Sequence, residues 1–340
     1  MGHSSHLRPR HHRRSGHRAD PGKRWEGKGE RSMSADAFKH VAILGGGGLM
    51  GHGIALACLQ ASAAKVTLIS RKQKSIDLGM ELIEKGPFGL QKGVKRGKVT
   101  EEQATEIMGR VDGSTDYAEG LAGADLVFET IPEIVDVKQE ALCEAEKHVA
   151  DDTVFASNTS SIMISELAAK MQNTSRLVGT HWFYPSNILP LIEVGRSELT
   201  SQVALDKVVG YLSAIGKKPV VVKDSPGFFM TRFINLYIAE AIRLVELGIA
   251  GPAEIDEMVK TGLGWPMGVF ELLDDTASFD SFVQAQTYLF ETLGERYAVP
   301  PLARKVILAG YKGDPKFKPD SKGGWYEFLG VERPEKPKKG

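Results

Sequence analysis

The chain has 340 residues, of which 42% are apolar and 25% are charged, and it contains two cysteines, Cys58 and Cys143. This length and composition are typical of a globular protein with two domains, and two cysteines exclude a disulfide framework and a cysteine-rich metal site. Since no apolar run approaches the roughly 20 residues of a membrane span, we expect no membrane segment, no metal site and a reducing compartment, most simply the cytoplasm.

The charge is unevenly distributed, although the formal net charge is zero. Residues 1–32 contain nine Arg or Lys and three Asp or Glu, so this stretch carries about +6 and the remainder about −6. It has few apolar residues and no helical or strand period, so residues 1–35 are predicted to be a disordered leader. We interpret it as non-native or translated from upstream of a natural start near Met33, with an Arg-rich transit peptide as the alternative. The acidic remainder argues against nucleic-acid binding, because phosphate contacts require a basic surface.

Strand and helix patterns alternate from His40 onward. The predicted strands are residues 40–44, 65–70, 125–130, 153–157, 177–181 and 191–194, and the predicted helices include residues 50–59, 73–85 and 135–149. Thr100 and Gln103 form the capping box of a further helix. After Pro219 and the three valines that follow it, helical periods continue to about Gly310. The sequence therefore predicts an α/β fold, with a mostly parallel sheet in residues 36–224 and a smaller all-α domain in residues 225–340.

A glycine-rich loop follows the first predicted strand. Residues 46–51 fit the spacing G-x-G-x-x-G between a strand and a helix. In a βαβ unit these glycines allow a tight turn, the approach of backbone N–H groups to a pyrophosphate, and close packing of helix on strand. The motif predicts a Rossmann-type dinucleotide-binding domain, and Gly45 leaves its register open by one residue. The residues predicted to contact the dinucleotide are Gly46, Gly48, Leu49, Met50 and Gly51.

The end of the second predicted strand bears on the choice of cofactor. An NAD site normally has an acidic residue here, which accepts hydrogen bonds from the ribose. This chain has Ser70 followed by Arg71. Ser70 removes the repulsion that a carboxylate would exert on a 2′-phosphate, and Arg71 can pair with a phosphate through two hydrogen bonds. We predict NADP in preference to NAD, with a solvated turn as the alternative interpretation.

A histidine and a glutamate suggest acid–base chemistry. His181 ends an apolar predicted strand, at the sheet edge where open α/β folds bind ligands, and histidine is well suited to take a proton from an alcohol. Glu193 is a charge within an otherwise apolar run, and a buried carboxylate requires a partner. Together they predict a general base with a carboxylate that orients its ring and stabilises the imidazolium. Either residue alone is more often structural.

Four segments together resemble the 3-hydroxyacyl-coenzyme A dehydrogenase family. They are residues 156–161 (ASNTSS), 181–193, 224–228 (DSPGF) and 264–268 (GWPMG). The resemblance extends over about residues 40–328. It implies hydride transfer between a nicotinamide and C3 of an acyl thioester on coenzyme A or a carrier protein, and a homodimer that pairs through the helical domains.

The resemblance also implies roles for individual residues. His181 and Glu193 would form the catalytic pair, and Ser160 would hydrogen-bond the reacting oxygen near the nicotinamide. Glu133 and Lys138 would contact the nicotinamide ribose region. The alternative interpretations are a helix N-cap for Ser160 and an exposed first helical turn for Glu133 and Lys138.

Two positions depart from the family pattern. Tyr184 stands where the family usually has Asn close to the nicotinamide, and Thr231 stands where it has an Asn that donates to the substrate carbonyl oxygen. A threonine donates one hydrogen bond from a shorter arm. We expect the alcohol chemistry to persist and recognition of the acyl thioester to change. A dehydrogenase of a free hydroxy acid, similar to the gulonate and carnitine branches, and a non-catalytic dinucleotide-binding relative are therefore the alternative functions.

Overall fold

The computed structural model describes residues 34–316 and 318–334. The predicted leader, apart from Ser34 and Ala35, lies outside the described residues. Ser34 caps a 3-10 turn over Ala35–Ala37, and Asp36 within it accepts a hydrogen bond from the backbone of Ala63 at 2.7 Å.

Eight strands form one sheet within the described residues. They are β1 (His40–Leu44), β2 (Lys65–Ile69), β3 (Val111–Ser114), β4 (Leu126–Glu129), β5 (Val154–Ser157), β6 (Leu177–Trp182), β7 (Leu191–Arg196) and β8 (Lys218–Lys223). Their order is β3-β2-β1-β4-β5-β6-β7-β8. The strands from β3 to β6 are parallel, β7 is antiparallel to β6, and β8 is parallel to β7. The strand order reverses direction between β1 and β4, which opens the crevice where dinucleotides bind in such sheets.

Helices cover both faces of this sheet and then form a separate layer after β8. The first group is α1 (Leu49–Ala61), α2 (Gln73–Lys85), α3 (Leu90–Lys95), α4 (Glu101–Met108), α5 (Tyr117–Leu121), α6 (Val135–Glu146), α7 (Ile164–Ala168) and α8 (Gln202–Ala214). The second group is α9 (Met230–Glu246), α10 (Pro252–Leu263), α11 (Val269–Thr276), α12 (Phe279–Leu293), α13 (Pro301–Leu308) and α14 (Trp325–Leu329). This is the predicted fold class, a Rossmann-like domain followed by a helical domain.

The strands are buried, which is why their sequences are continuous apolar runs that could be predicted as strands. Residues 41–44 of β1 are at most 1% exposed, as expected for a parallel strand covered on both faces. The capping box of Thr100 and Gln103 is present at the start of α4, and α2 has its predicted bounds. The sequence did not indicate β3, because Val-Asp-Gly-Ser is polar, short and contains a glycine.

A buried cluster forms the core of the helical domain. Ile242 of α9, Phe270 of α11 and Trp325 of α14 pack together in it. Two buried carboxylates fix the last helix: Asp256 accepts a hydrogen bond from the Tyr326 hydroxyl at 2.8 Å, and Asp274 accepts one from the Trp325 backbone at 2.8 Å. Among the described residues, no helix is long and apolar enough to cross a membrane.

Candidate active site

The predicted histidine–glutamate pair lies on two adjacent strands. His181 of β6 and Glu193 of β7 are directly opposite each other in the antiparallel ladder, and His181 Nδ1 lies 3.0 Å from Glu193 Oε2. Both side chains are buried. A carboxylate can only accept, so the contact favours the neutral tautomer with the proton on Nδ1 and the lone pair on Nε2. The arrangement can therefore remove a proton through Nε2 and stabilise the resulting imidazolium.

The start of the helical domain holds the glutamate in place. Glu193 Oε1 accepts hydrogen bonds from the backbone N–H groups of Phe229 at 2.8 Å and Met230 at 3.1 Å, at the beginning of α9. Gly227 and Phe228 just before them have left-handed φ values of 71° and 45°. For a bulky residue such as Phe228 this backbone is strained. The carboxylate caps a helix and orients the histidine at the same time, which ties the two domains together at the pair.

A second glutamate orders the loop that carries Ser160. Glu133 Oε1 accepts hydrogen bonds from the Thr159 hydroxyl, from the Ser160 backbone, and from the Ser161 backbone and hydroxyl, all within 2.9 Å. The Ser160 hydroxyl has no partner in the described part of the chain. Ser160 is not a helix N-cap, because α7 begins later, with Met163 at that position. The backbone of the loop is therefore held in place by Glu133, and the Ser160 hydroxyl is not used in holding it.

Lys138 is buried, so the alternative interpretation of an exposed first helical turn is wrong for it. Its side chain is 1% exposed and contacts Glu129 at 2.7 Å and Glu133 at 3.3 Å. Burial opposes its charge, but the two carboxylates outweigh burial and raise the pKa of Lys138. Burial likewise opposes the charge of Glu133, but Lys138 and the hydrogen bonds from residues 159–161 outweigh it and lower the pKa of Glu133. The Lys138 ammonium therefore holds Glu133 in place, and Glu133 in turn holds the backbone of the loop that carries Ser160.

The glycine-rich loop is built on close backbone contacts. Gly45, directly after β1, has a φ of 79°, and Gly48 is the N-cap of α1 without a side chain to cap its N–H groups. A Cβ atom added to Gly47 would lie 1.8 Å from Ser75 O of α2, and one added to Gly51 would lie 2.5 Å from Gly45 O. The uncapped first turn of α1, with Leu49 and Met50, can bind an anion. The loop fits a dinucleotide pyrophosphate.

The predicted cofactor-selecting residues lie at the carboxyl end of β2. The Ser70 backbone donates to Ser114 O at 3.3 Å, so Ser70 remains at the sheet edge. Arg71 is exposed and forms no ion pair with the described residues. Its guanidinium is therefore available to a solvent-borne anion.

The two departures from the family pattern lie just after β6 and in the first turn of α9. Tyr184 follows β6, and its ring packs edge-on against Phe88 with centroids 5.8 Å apart. Burial raises the pKa of Tyr184, so its hydroxyl stays neutral. Thr231 is buried in the first turn of α9. Both residues are therefore linked to the start of α9. Thr231 is part of its first turn, and His181 contacts Glu193, which accepts hydrogen bonds from that turn.

Some residues of this region were not predicted. Glu129, fully buried at the end of β4, accepts hydrogen bonds from Lys138 and from the Ser157 hydroxyl. Asn158 accepts a hydrogen bond from the Trp182 backbone at 2.9 Å and so fixes the end of β6. Glu129, a charge at the end of an apolar run, resembles the pattern that marked Glu193, a charge within one. Among the described residues, no group of three or more His, Cys, Asp or Glu side chains could hold a metal ion.

Two family models match almost the whole described chain. The model "3-hydroxyacyl-CoA dehydrogenase, NAD binding domain" matches residues 40–225, and the model "3-hydroxyacyl-CoA dehydrogenase, C-terminal domain" matches residues 227–322. The chain belongs to the 3-hydroxyacyl-CoA dehydrogenase family.

Similar proteins agree with this membership. Mitochondrial hydroxyacyl-coenzyme A dehydrogenases of Sus scrofa and Homo sapiens are each 37% identical over 251 residues, which is 71% of this chain and 78% of theirs. The crystal structure of FadB2 from M. tuberculosis has a TM-score of 0.76 at 34% identity and covers 82% of this chain and 96% of that one. That of (S)-3-hydroxybutyryl-CoA dehydrogenase PaaH1 from Ralstonia eutropha has a TM-score of 0.74 at 32% identity, with the same coverage. As a member of this family the chain is a nicotinamide-dependent oxidoreductase, and the matched NAD-binding domain model supports NAD as a cofactor.

Proposed function

We propose that this chain transfers a hydride between a nicotinamide and C3 of a 3-hydroxyacyl-CoA, with His181 as the general base. The observation that carries the proposal is the buried contact between His181 Nδ1 and Glu193 Oε2, 3.0 Å apart. This contact directs Nε2 away from the carboxylate, where it can accept a hydroxyl proton. The carboxylate also caps α9, but a helix cap alone does not require a histidine paired with it.

The protein contributes proton transfer and orientation to the reaction. Nε2 of His181 takes the proton of the 3-hydroxyl group, and Glu193 stabilises the imidazolium that forms. The Ser160 hydroxyl donates a hydrogen bond to the oxygen of the reacting carbon. When bound, the nicotinamide supplies the hydride acceptor or donor. In the reducing direction the same imidazolium returns its proton to the carbonyl oxygen.

We propose that Gly46, Gly48 and Gly51, together with the first turn of α1, bind the pyrophosphate of the dinucleotide. We propose that Glu133, Lys138 and Tyr184 lie near the nicotinamide and its ribose. Lys138 would act mainly by holding Glu133, because its ammonium is already committed to two carboxylates.

We propose that Ser70 and Arg71 bind the 2′-phosphate of the adenosine ribose, and that the protein therefore prefers NADP to NAD. The exposed, unpaired guanidinium supports this preference. We expect Arg71→Gln to lower kcat/KM for NADPH about tenfold and to leave that for NADH unchanged, in line with one lost phosphate contact. The adjacent Lys72→Gln is the control. Equal use of the two cofactors by the unmodified protein would contradict the preference.

The substrate is tested by comparing two classes of carbonyl compound. We expect acetoacetyl-CoA to be reduced with a kcat/KM at least about tenfold above that of free acetoacetate, because a thioester brings the binding energy of coenzyme A. The alternative is a free hydroxy acid, which the replacement of Asn by Thr231 and Tyr184 favours. Turnover of free keto acids without turnover of any thioester would establish that alternative.

We further propose a domain boundary between residues 224 and 225, a homodimer and a cytoplasmic location. Phe229, Phe233, Met258 and Leu263 of α9 and α10 are each more than half exposed, and such apolar patches are typical of subunit contacts. Sedimentation at micromolar concentration would show a dimer, and a monomer would contradict it. The compared mammalian relatives are named as mitochondrial, so cell fractionation tests the location.

A further inference from the structure

A buried histidine lies in the first turn of α1, directly after the glycine-rich loop. His52 is 7% exposed. Its ring Nδ1 lies 2.9 Å from Gly48 O, and its backbone N–H donates to the same oxygen at 3.2 Å. Helical side chains lean toward the helix N-terminus, and the ring contact shows that His52 does so. The imidazole therefore lies at the end of α1 where Gly48 is the N-cap and has no side chain to cap the N–H groups.

The contact with Gly48 limits what the other ring nitrogen can do. A carbonyl oxygen can only accept, so the contact favours the neutral tautomer with the proton on Nδ1 and the lone pair on Nε2. Nε2 makes no hydrogen bond with the described residues and is not one of their fully enclosed polar atoms, so the exposed part of the ring includes it. A neutral His52 of this tautomer cannot donate to an anion through Nε2. It can do so only when a second proton makes it an imidazolium.

No charged side chain of the described residues compensates an imidazolium at His52. Burial lowers the pKa of His52 and outweighs the hydrogen bond to Gly48, which raises it. A cation is also disfavoured at the N-terminus of a helix. The elements packed on α1 are β1, β2, α2 and the residues after β6. Their titratable groups do not shift this pKa, and they include His40 of β1, Lys65 of β2, Lys74 and Asp77 of α2, Tyr184, and Lys217, which contacts Ser186 O.

We propose that His52 binds the pyrophosphate of the dinucleotide as an imidazolium, with its Nε2–H group donating to a phosphate oxygen. The proton is taken up from solvent when the cofactor binds. The proposal rests on the proposed function, which places that pyrophosphate at the first turn of α1. The negative charge of the pyrophosphate compensates the cation, and a hydrogen bond between charged groups is stronger than a neutral one. His52 lies one residue beyond the last glycine of the loop, so the glycine motif itself does not include it.

The direction of the pH dependence follows from the two states of His52. The free protein holds it neutral above its lowered pKa, and the complex holds it protonated below a raised pKa. Between these two values each complex takes up one proton, so the Kd of the cofactor rises as the pH rises. NADH is the suitable probe, because the 2′-phosphate of NADPH itself titrates near about pH 6.

The test measures the Kd of NADH between about pH 6 and about pH 8, together with proton uptake by calorimetry in buffers of different ionisation enthalpy. We expect the Kd of the unmodified protein to rise about tenfold over this range. His52→Asn keeps an amide N–H for Gly48 O but has no group in the place of Nε2. We expect its Kd to be about tenfold higher than that of the unmodified protein at the lower pH, and independent of pH.

His52→Gln separates a donor from a charge. Its amide nitrogen takes the place of Nε2 and donates without titrating. We expect its Kd to be independent of pH and to lie between the two extremes of the unmodified protein. A helix-capping role alone would give no pH dependence in the unmodified protein, and His52→Asn would then bind NADH as the unmodified protein does.

Two other histidines provide the controls. Burial also lowers the pKa of His40, but His40 lies at the amino end of β1, whereas the glycine-rich loop follows the other end. His181 is placed at the nicotinamide by the proposed function. We expect His40→Asn and His181→Gln to keep the pH dependence of the Kd and the proton uptake of the unmodified protein.

The outcomes separate this proposal from the proposed function. A Kd of NADH that does not change with pH in the unmodified protein would refute the role of His52. A pH dependence that survives in His52→Asn, or that disappears in His181→Gln, would also refute it, because another group would then take up the proton. Failure to reduce acetoacetyl-CoA, with NADH bound in the expected pH-dependent way, would refute the proposed substrate and support the role of His52.

Discussion

Replacing Glu193 by Gln tests the link between the catalytic pair and the start of α9. Three N–H donors converge on this carboxylate, from His181 Nδ1 at 3.0 Å, Phe229 N at 2.8 Å and Met230 N at 3.1 Å. A glutamine amide has one accepting oxygen and one donating NH₂ group. Whichever way it is turned, the NH₂ group faces a donor, at His181 or at the helix start.

The size of the effect follows from the lost charge. A carboxylate about 4 Å from an imidazolium contributes about 4 kcal/mol at an effective dielectric constant near 20. Since about 1.4 kcal/mol is tenfold in rate, kcat for acetoacetyl-CoA should fall by up to about 10³-fold. The buried donor left without an acceptor should lower the free energy of unfolding by about 1–3 kcal/mol.

The assay measures kcat, the Kd of the nicotinamide cofactor and urea unfolding in parallel. Glu198→Gln is the matched control, because Glu198 follows β7 and its side chain is 67% exposed. We expect that control to behave like the unmodified protein, and we expect both variants to keep cofactor affinity. A Glu193→Gln protein whose kcat stays within about threefold of the original would refute the reasoning.

Other substitutions test the supporting structure. Lys138→Met should lower the free energy of unfolding by about 3–5 kcal/mol, because it leaves two buried carboxylates unpaired; urea unfolding checks this, and an unchanged midpoint contradicts it. Burial raises the pKa of Asp274 to about 7, so its ionisation should weaken the fold as pH rises from about 4 to 7, by at most about 4 kcal/mol. Asp274→Asn should flatten that pH dependence in unfolding measurements at pH 5 and 8, and an unaltered slope would count against it. Gly47→Ala should abolish cofactor binding or folding, because its Cβ would lie 1.8 Å from Ser75 O. A folded variant that binds the cofactor with the affinity of the unmodified protein would contradict this expectation.

The parts of the fold that were predictable are those with a strong pattern. The buried strand β1 and the amphipathic helix α2 begin and end where the sequence predicts. The direction of β7 could not be predicted, because an apolar run has the same pattern in parallel and antiparallel pairing. That direction is what places His181 opposite Glu193. The pair was predicted from residue type, and its geometry required the fold.

The surroundings of the site residues could not be predicted where they depend on contacts between distant segments. Lys138 was predicted as a site residue from the family resemblance, but nothing in the sequence indicated its burial or its ion pair with Glu129 of β4. Asn235 lies with Thr231 on the buried and otherwise apolar face of α9. That its amide nitrogen has no partner among the described residues becomes visible only after the side chains around it are placed.

The central claim is that His181 is the base for chemistry at C3, and His181→Gln tests it most directly. Acetoacetyl-CoA is reduced with cofactor deuterated at the transferring position, and both the rate and the labelled carbon of the product are determined. We expect the unmodified protein to place deuterium on C3. We expect the variant to bind the cofactor normally and to lose about 10²–10⁴-fold in kcat. Turnover by His181→Gln at the rate of the unmodified protein, or a label on any other carbon, would contradict the claim.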